Sequence, residues 1–180
     1  YFFNAAKMLS GRDLYKLANC YVDAIEEADL AFDCLYGPAY KGIFLGSIVA
    51  MIYSQRGTPC PVSFNRKEIK DHGEGGNIIG TNPSGNVLII DDVLSAGTAA
   101  KESIENIESL NAIPKLFVVG LDRQEKGNGE ISAKKELENN FNISVTSIID
   151  LDALIRFSNN NKNFNSYVLL LEKYRDNWGA

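Results

Sequence analysis

Four consecutive apolar, β-favouring residues, Val87-Leu88-Ile89-Ile90, run directly into Asp91-Asp92. A strand that is apolar at every position is buried on both faces, the condition of an inner strand in a parallel sheet covered by helices. The residues that follow, Val93-Leu94-Ser95-Ala96-Gly97-Thr98-Ala99, include a run of small side chains and open a helical pattern from Thr98 to Leu110 through Ala99, Ile104 and Ile107. This strand, loop and helix restrict the chain to an α/β layer architecture. The loop then lies outside the carboxyl end of the strand, where such folds bind ligands.

The rest of the chain alternates in the same way. Leu14, Leu17, Ala18, Tyr21, Val22 and Ile25 form a helical stripe, preceded by Ser10 and Asp13 in capping-box spacing. Ala31 to Tyr36, closed by Gly37-Pro38, reads as a strand, and Ile43 to Tyr53 as a helix that ends before Gly57-Thr58-Pro59. Val62 to Asn65 is a further strand. Arg66 to Pro83 carries four glycines and little apolar pattern, and is expected to be a mobile loop. Leu116 to Leu121 and Val145 to Ile149 are strands around a helix from Ser132 to Asn140, and Asp150 to Phe157 and Phe164 to Trp178 are closing helices. The expected fold is a single α/β domain over residues 1–180, with a central, mainly parallel sheet flanked by helices on both faces.

Composition narrows the function classes. With 180 residues, 45% hydrophobic and 23% charged, the chain can bury a sizeable core. A net charge of -5 argues against a protein whose affinity comes from nucleic-acid backbones. Cys20, Cys34 and Cys60 are odd in number and scattered, without a C-x-x-C pair, so neither a disulfide framework nor a zinc site is expected and a reducing cytoplasm fits best. The longest apolar run, Gly42 to Tyr53, is too short for a bilayer span, and no membrane partner or signal peptide is expected. The sequence opens Tyr1-Phe2-Phe3-Asn4 without an initiator Met, so a short preceding segment is expected to be missing.

The chemistry is concentrated after the central strand. Ser95, Ala96, Gly97 and Thr98 at a helix start can turn successive backbone N–H groups and two hydroxyls toward a phosphate, assisted by the helix dipole. Adjacent carboxylates would repel that phosphate, so Asp91 and Asp92 are better suited to hydroxyl groups or a hydrated cation beside it. A sugar phosphate satisfies both demands. The ordinary alternative is an acidic strand end that caps the next helix, which explains an isolated Asp-Asp pair better than it explains the whole run. No G-x-x-x-x-G-K-[ST] is present, and neither Gly73-Glu74-Gly75 nor Gly127-Asn128-Gly129 continues into G-x-G-x-x-G, so ATPase and dinucleotide readings lose their support.

The run Val87 to Ala99 resembles the phosphoribosyl pyrophosphate signature of type I phosphoribosyltransferases. Tyr36-Gly37-Pro38-Ala39-Tyr40-Lys41-Gly42, Phe64-Asn65-Arg66-Lys67-Glu68, Lys70-Asp71-His72-Gly73-Glu74-Gly75-Gly76 and Leu121-Asp122-Arg123-Gln124-Glu125 resemble, in order, the blocks of orotate phosphoribosyltransferases. The resemblance covers nearly the whole chain. It implies that Val93, Leu94, Ser95, Ala96, Gly97, Thr98 and Ala99 bind the 5-phosphate end of phosphoribosyl pyrophosphate, with Asp91 and Asp92 near the ribose hydroxyls. Pyrophosphate contacts fall on Tyr40, Lys41, Arg66, Lys67, Lys70 and His72, and the catalytic group is Lys70, His72, Asp91 and Asp92. Phe2, Phe3, Ser95 and Arg123 are assigned to orotate.

The resemblance further implies Mg2+ held mainly through substrate and water, with no direct protein ligand, and a homodimer whose flexible catalytic loop 66–77 is shared between subunits. Two departures stand out. Ser95 occupies a position where the family usually has Thr, which keeps the hydroxyl. The segment before Tyr1, which in the family supplies a lysine to the phosphoribosyl pyrophosphate site, is not in the sequence.

Read without the resemblance, several of these residues have plainer roles. Arg66, Lys67 and Lys70 are offset by Glu68, Asp71 and Glu74, the pattern of a solvated loop. Arg123, following an apolar strand, offers a fork for a carboxylate; by itself it reads as a surface arginine paired with Glu125. Phe2-Phe3 is ordinary core material. His72 is the only histidine, which excludes a histidine-based metal cluster and leaves a single acid or phosphate donor. A purine or uracil phosphoribosyltransferase is opposed by Arg123 and the Lys-Asp-His block. A non-catalytic regulator that binds phosphoribosyl pyrophosphate would need a basic face or an appended domain, which 180 residues at -5 do not offer.

Overall fold

A computed structural model of the chain describes residues 1, 3–70 and 76–180, with side chains placed except at 68–70 and 76. A 3-10 turn, Ala5–Met8, leads to α1 (Gly11–Glu27), β1 (Cys34–Tyr36), α2 (Lys41–Gln55), β2 (Val62–Lys70), β3 (Gly76–Gly80) and β4 (Asn86–Leu94). Then come α3 (Thr98–Ser109), β5 (Ile113–Asp122), α4 (Ala133–Phe141), β6 (Ser144–Asp150), α5 (Leu151–Asn159), a second 3-10 turn and α6 (Val168–Trp178). Among the described residues six strands form one sheet in the order β3-β2-β1-β4-β5-β6. The pairs from β2 to β6 are parallel and β2–β3 is antiparallel, giving the expected mainly parallel sheet.

Both faces of the sheet are covered, and the alternation along a strand divides them. On β4, Leu88 and Ile90 join a cluster with Leu17, Tyr21, Leu45 and Val49 of α1 and α2. Val87 and Ile89 join the opposite cluster with Ile104 and Leu137 of α3 and α4. All four β4 side chains are fully buried, as an inner strand requires. Ser10 carries the cap that its sequence indicates, its Oγ accepting from Asp13 N at 3.3 Å, and Ser132 Oγ likewise accepts from Lys135 N at 3.3 Å. At α5 Asp150 Oδ1 accepts from Ala153 N at 2.7 Å.

Two expectations are corrected. The stretch Arg66 to Pro83 is not simply a loop: β2 continues to Lys70 and pairs antiparallel with β3, Phe64 opposite Ile79, Asn65 opposite Ile78 and Lys70 opposite Gly76. This hairpin ends the sheet, where charged residues are tolerated, so backbone pairing forms it without an apolar alternation. Residues 71–75 lie outside the described residues. Nor does the central strand stop at the acids, because β4 runs through Asp91-Asp92 to Leu94, with Val93 opposite Leu121 and Leu94 opposite Asp122. Among the described residues no helix is long and apolar enough to cross a membrane.

Candidate active site

The site is assembled at the carboxyl ends of β1, β4 and β5. After β4 the chain bends through Ser95 and Ala96 to Gly97, which caps α3 with φ +85°, a left-handed conformation that L side chains rarely adopt. That turn aims the start of α3 back at the sheet and closes a cavity of about 220 Å³ lined by Asp91, Leu94, Ser95, Gly97, Thr98 and Ala99. A helix start bordered by two hydroxyls and small residues is an anion cradle.

The two acids differ in surroundings. Asp92 is 7% exposed and forms an ion pair at 2.5 Å between its Oδ2 and Nζ of Lys41, the first residue of α2. Asp91 Oδ1 accepts from the Asp92 backbone N–H at 2.8 Å. Burial pushes the Asp91 carboxyl up to about 7; the Asp92 N–H opposes this rise and the Asp92 charge adds to it. Asp91 therefore holds its proton to higher pH than an ordinary carboxyl.

On the β1 side, Gly37 to Tyr40 turn into α2, and Ala39 N donates to Asn65 Oδ1 of β2 at 2.8 Å. The peptide bond between Ala39 and Tyr40 is cis. Tyr40 is largely exposed, and Lys67 Nζ stands 4.7 Å from its ring centroid. A cavity of about 520 Å³ brings Ala39, Asn65, Arg66 and Lys67 together with Asp91 and Ala99. The cationic residues Arg66 and Lys67 of β2 thus line the same cavity as Asp91.

On the β5 side, Arg123 N donates to Leu94 O at 3.0 Å, which ties the arginine to the end of β4 and the start of the cradle. Its Nε lies 3.1 Å from Glu125 Oε1, the pairing that the sequence indicates, and its side chain is 25% exposed. It is not a free surface group: the guanidinium carbon also stands 5.1 Å from the ring centroids of both Tyr1 and Tyr174. Phe3 lines an apolar cavity of about 350 Å³ with Met8, Leu17, Gly120 and Ile149, so it packs beside the end of β5. Phe2, His72 and the side chain of Lys70 lie outside the described residues.

Sequence reasoning did not identify Tyr1, Tyr174 or Tyr21 as parts of the site. Tyr174 and Tyr21 sit on helices far away in the chain, and their apolar spacing marks them only as packing residues. Among the described residues no group of three His, Cys, Asp or Glu side chains could hold a metal ion. One member of the acidic pair, Asp92, is neutralised by Lys41.

A mainly parallel sheet flanked by helices, with an acidic pair and a small-residue cradle at the end of its central strand, defines the type I phosphoribosyltransferase fold. The chain is 48% identical over 180 residues to the orotate phosphoribosyltransferase of Marinobacter nauticus, covering 100% of this chain and 85% of that protein. It is 46% identical over 181 residues to the orotate phosphoribosyltransferase of Actinobacillus pleuropneumoniae serotype 5b, with the same coverage of 100% and 85%. A crystal structure of orotate phosphoribosyltransferase from Francisella tularensis matches with a TM-score of 0.84 at 33% identity, over 99% of this chain and 86% of that one. No family model matches the chain. The chain belongs to the orotate phosphoribosyltransferase family.

Proposed function

We propose that the chain transfers ribose 5-phosphate from 5-phosphoribosyl 1-pyrophosphate to N1 of orotate, giving orotidine 5'-monophosphate and pyrophosphate in pyrimidine synthesis. The observation that carries this reading is the link at 3.0 Å between Arg123 N and Leu94 O, which joins a group suited to a carboxylate to a cradle suited to a phosphate. A ligand with both features spans that edge of the sheet.

In this reading the start of α3, with Ser95 and Thr98, holds the 5-phosphate, while Asp91 and Asp92 orient the ribose hydroxyls. Arg123 takes the orotate carboxylate as a two-point pair, with Phe3 packed beside it. Orotate N1 attacks ribose C1 as the bond to pyrophosphate breaks, and negative charge grows on the departing oxygens. Tyr40, Lys41, Arg66 and Lys67 supply donors and positive charge there, joined by Lys70 and His72 from the 66–77 segment. Lys41 is already paired with Asp92 at 2.5 Å, so bound substrate would divide its charge between the acid and the phosphates. Asp91 and Asp92 would border a Mg2+ ion carried mainly by substrate oxygens and water, and such a cation would neutralise pyrophosphate charge. A homodimer that shares the 66–77 segment and a reducing cytoplasm complete the proposal; Cys20, Cys34 and Cys60 are free thiols.

The test is the loss of orotate ultraviolet absorbance with phosphoribosyl pyrophosphate and Mg2+ present, and adenine, hypoxanthine and uracil assayed in parallel. Consumption of orotate alone is the expected result. Preferential consumption of another base would overturn the assignment of Arg123. If no base reacts, even with the chain extended at its amino end, the catalytic reading fails.

A further inference from the structure

Arg123 is clamped by groups distant from it in the chain. Its guanidinium carbon lies 5.1 Å from the ring centroids of Tyr1 and Tyr174, and those two rings meet edge to face at 4.9 Å. Glu125 Oε1, 3.1 Å from Arg123 Nε, also accepts the Tyr174 hydroxyl. One carboxylate oxygen therefore joins the guanidinium to a phenol on α6. Glu125 is well covered, its side chain 14% exposed, so this pairing is less screened than a surface contact. Burial raises the Tyr174 hydroxyl above its ordinary value, and the bond to Glu125 raises it further, so it remains a donor at neutral pH.

An arginine can serve a planar carboxylate only if its fork is held in the right plane. The ion pair at Nε and the aromatic rings beside the guanidinium restrict its rotation. The ring of Tyr174 packs against the small cluster of Leu151, Ile155 and Leu171, so α5 and α6 fix the tyrosine itself. Its hydroxyl is the one part of it that reaches the arginine's counter-ion.

We propose that Tyr174 is a positioning residue for recognition of the accepting base: its hydroxyl orients Glu125, and Glu125 with the tyrosine ring sets the plane in which Arg123 meets the base's carboxylate. This rests on the assignment of Arg123 to that carboxylate. Tyr174→Phe keeps the ring and removes only the hydroxyl, and Glu125→Gln removes the charge while keeping the shape. Each is expected to raise KM for orotate about 3- to 10-fold, the scale of one lost polar contact. KM for phosphoribosyl pyrophosphate and inhibition by uracil, which has no carboxylate, should stay within about twofold. In an Arg123→Ala background Tyr174→Phe should add nothing, because the group that it positions is gone.

The controls separate the two ideas. If Arg123→Ala leaves KM for orotate unchanged, the assignment of Arg123 fails and takes the proposal with it. If Arg123→Ala raises KM but both Tyr174→Phe and Glu125→Gln do not, the assignment stands and the positioning role is overturned. A rise in both substrates' KM values with a lowered melting temperature would mean that Tyr174 acts only through packing, which also overturns it.

Discussion

The hydroxyl of Tyr21, on α1, donates to the backbone carbonyl of Asp91 at 2.8 Å and so fastens a helix to the sheet at the acidic pair. Gly120 on β5 makes the approach feasible: a Cβ there would stand 2.9 Å from the Tyr21 hydroxyl and 2.8 Å from the Phe3 ring. Burial drives the Tyr21 hydroxyl well above its ordinary value, with the charges of Asp92 and Asp91 adding to the rise, so it acts as a fixed donor and does not titrate. The cost of placing a phenol in the core is thus offset by a bond to the strand segment that carries the acidic pair.

Tyr21→Phe preserves the packing and leaves the Asp91 carbonyl without this donor. The expected loss is about 1 kcal/mol of unfolding free energy, read from urea denaturation. KM for phosphoribosyl pyrophosphate should rise more than KM for orotate. Equal changes in both would detach Tyr21 from the acidic pair.

The buried carboxyl of Asp91 makes a prediction about pH. Its folded value of about 7 lies above the ordinary 3.8, so the folded state holds the proton more tightly than the unfolded chain does. The associated stability is fully present below about pH 4 and is lost as pH rises to about 7. Asp91→Asn cannot ionise, and its side-chain oxygen can still accept from the Asp92 N–H. Across that window the unfolding free energy of the parent protein should fall relative to the variant by an amount on the order of a few kcal/mol, and its melting temperature should fall with it. Parallel melting curves from pH 4 to 7 would refute the raised value.

Gly97 tests the cradle. Its φ of +85° is strained for any other residue, although a Cβ there would meet nothing closer than Ala133 at 3.7 Å. Gly97→Ala should therefore cost about 1–2 kcal/mol through the backbone alone. Relaxation of that strain would turn the start of α3 away from the phosphate, so KM for phosphoribosyl pyrophosphate should rise at temperatures where the variant is folded. An unchanged KM would separate the turn from phosphate binding.

Much of this site was legible because its chemistry is local. Asp91, Asp92 and the cradle lie on one strand and the turn after it, and Ser10 announces its helix by capping-box spacing with Asp13. The β2–β3 hairpin was not legible: Arg66, Lys67, Glu68 and Lys70 are polar whichever way they point, and a strand made by edge pairing leaves no period in such a run. The clamp on Arg123 was hidden for another reason. Tyr174 lies 49 positions from its partner Glu125, and only the packing of α6 against α5 brings it there. Glu125 was visible as a plain counter-ion, whereas its second bond, to the tyrosine, comes from tertiary structure alone.

Lys70 lies at the end of β2, opposite Gly76 of β3, and β1 stands between that strand and β4, which carries the acidic pair. In the proposed homodimer it serves the neighbouring subunit. Lys70→Ala should lower kcat far more than it weakens orotate binding, since the lysine meets charge that grows only as pyrophosphate leaves. Asp92→Ala should be inactive for a different reason, the loss of ribose contacts. If each site takes Asp92 from one subunit and Lys70 from the other, a mixed dimer has one site with both defects and one with neither. Random reassociation of equal amounts makes about half the dimers mixed, so about one quarter of the parent activity should return. Sites built within one chain would each keep one defect, and mixing would recover nothing.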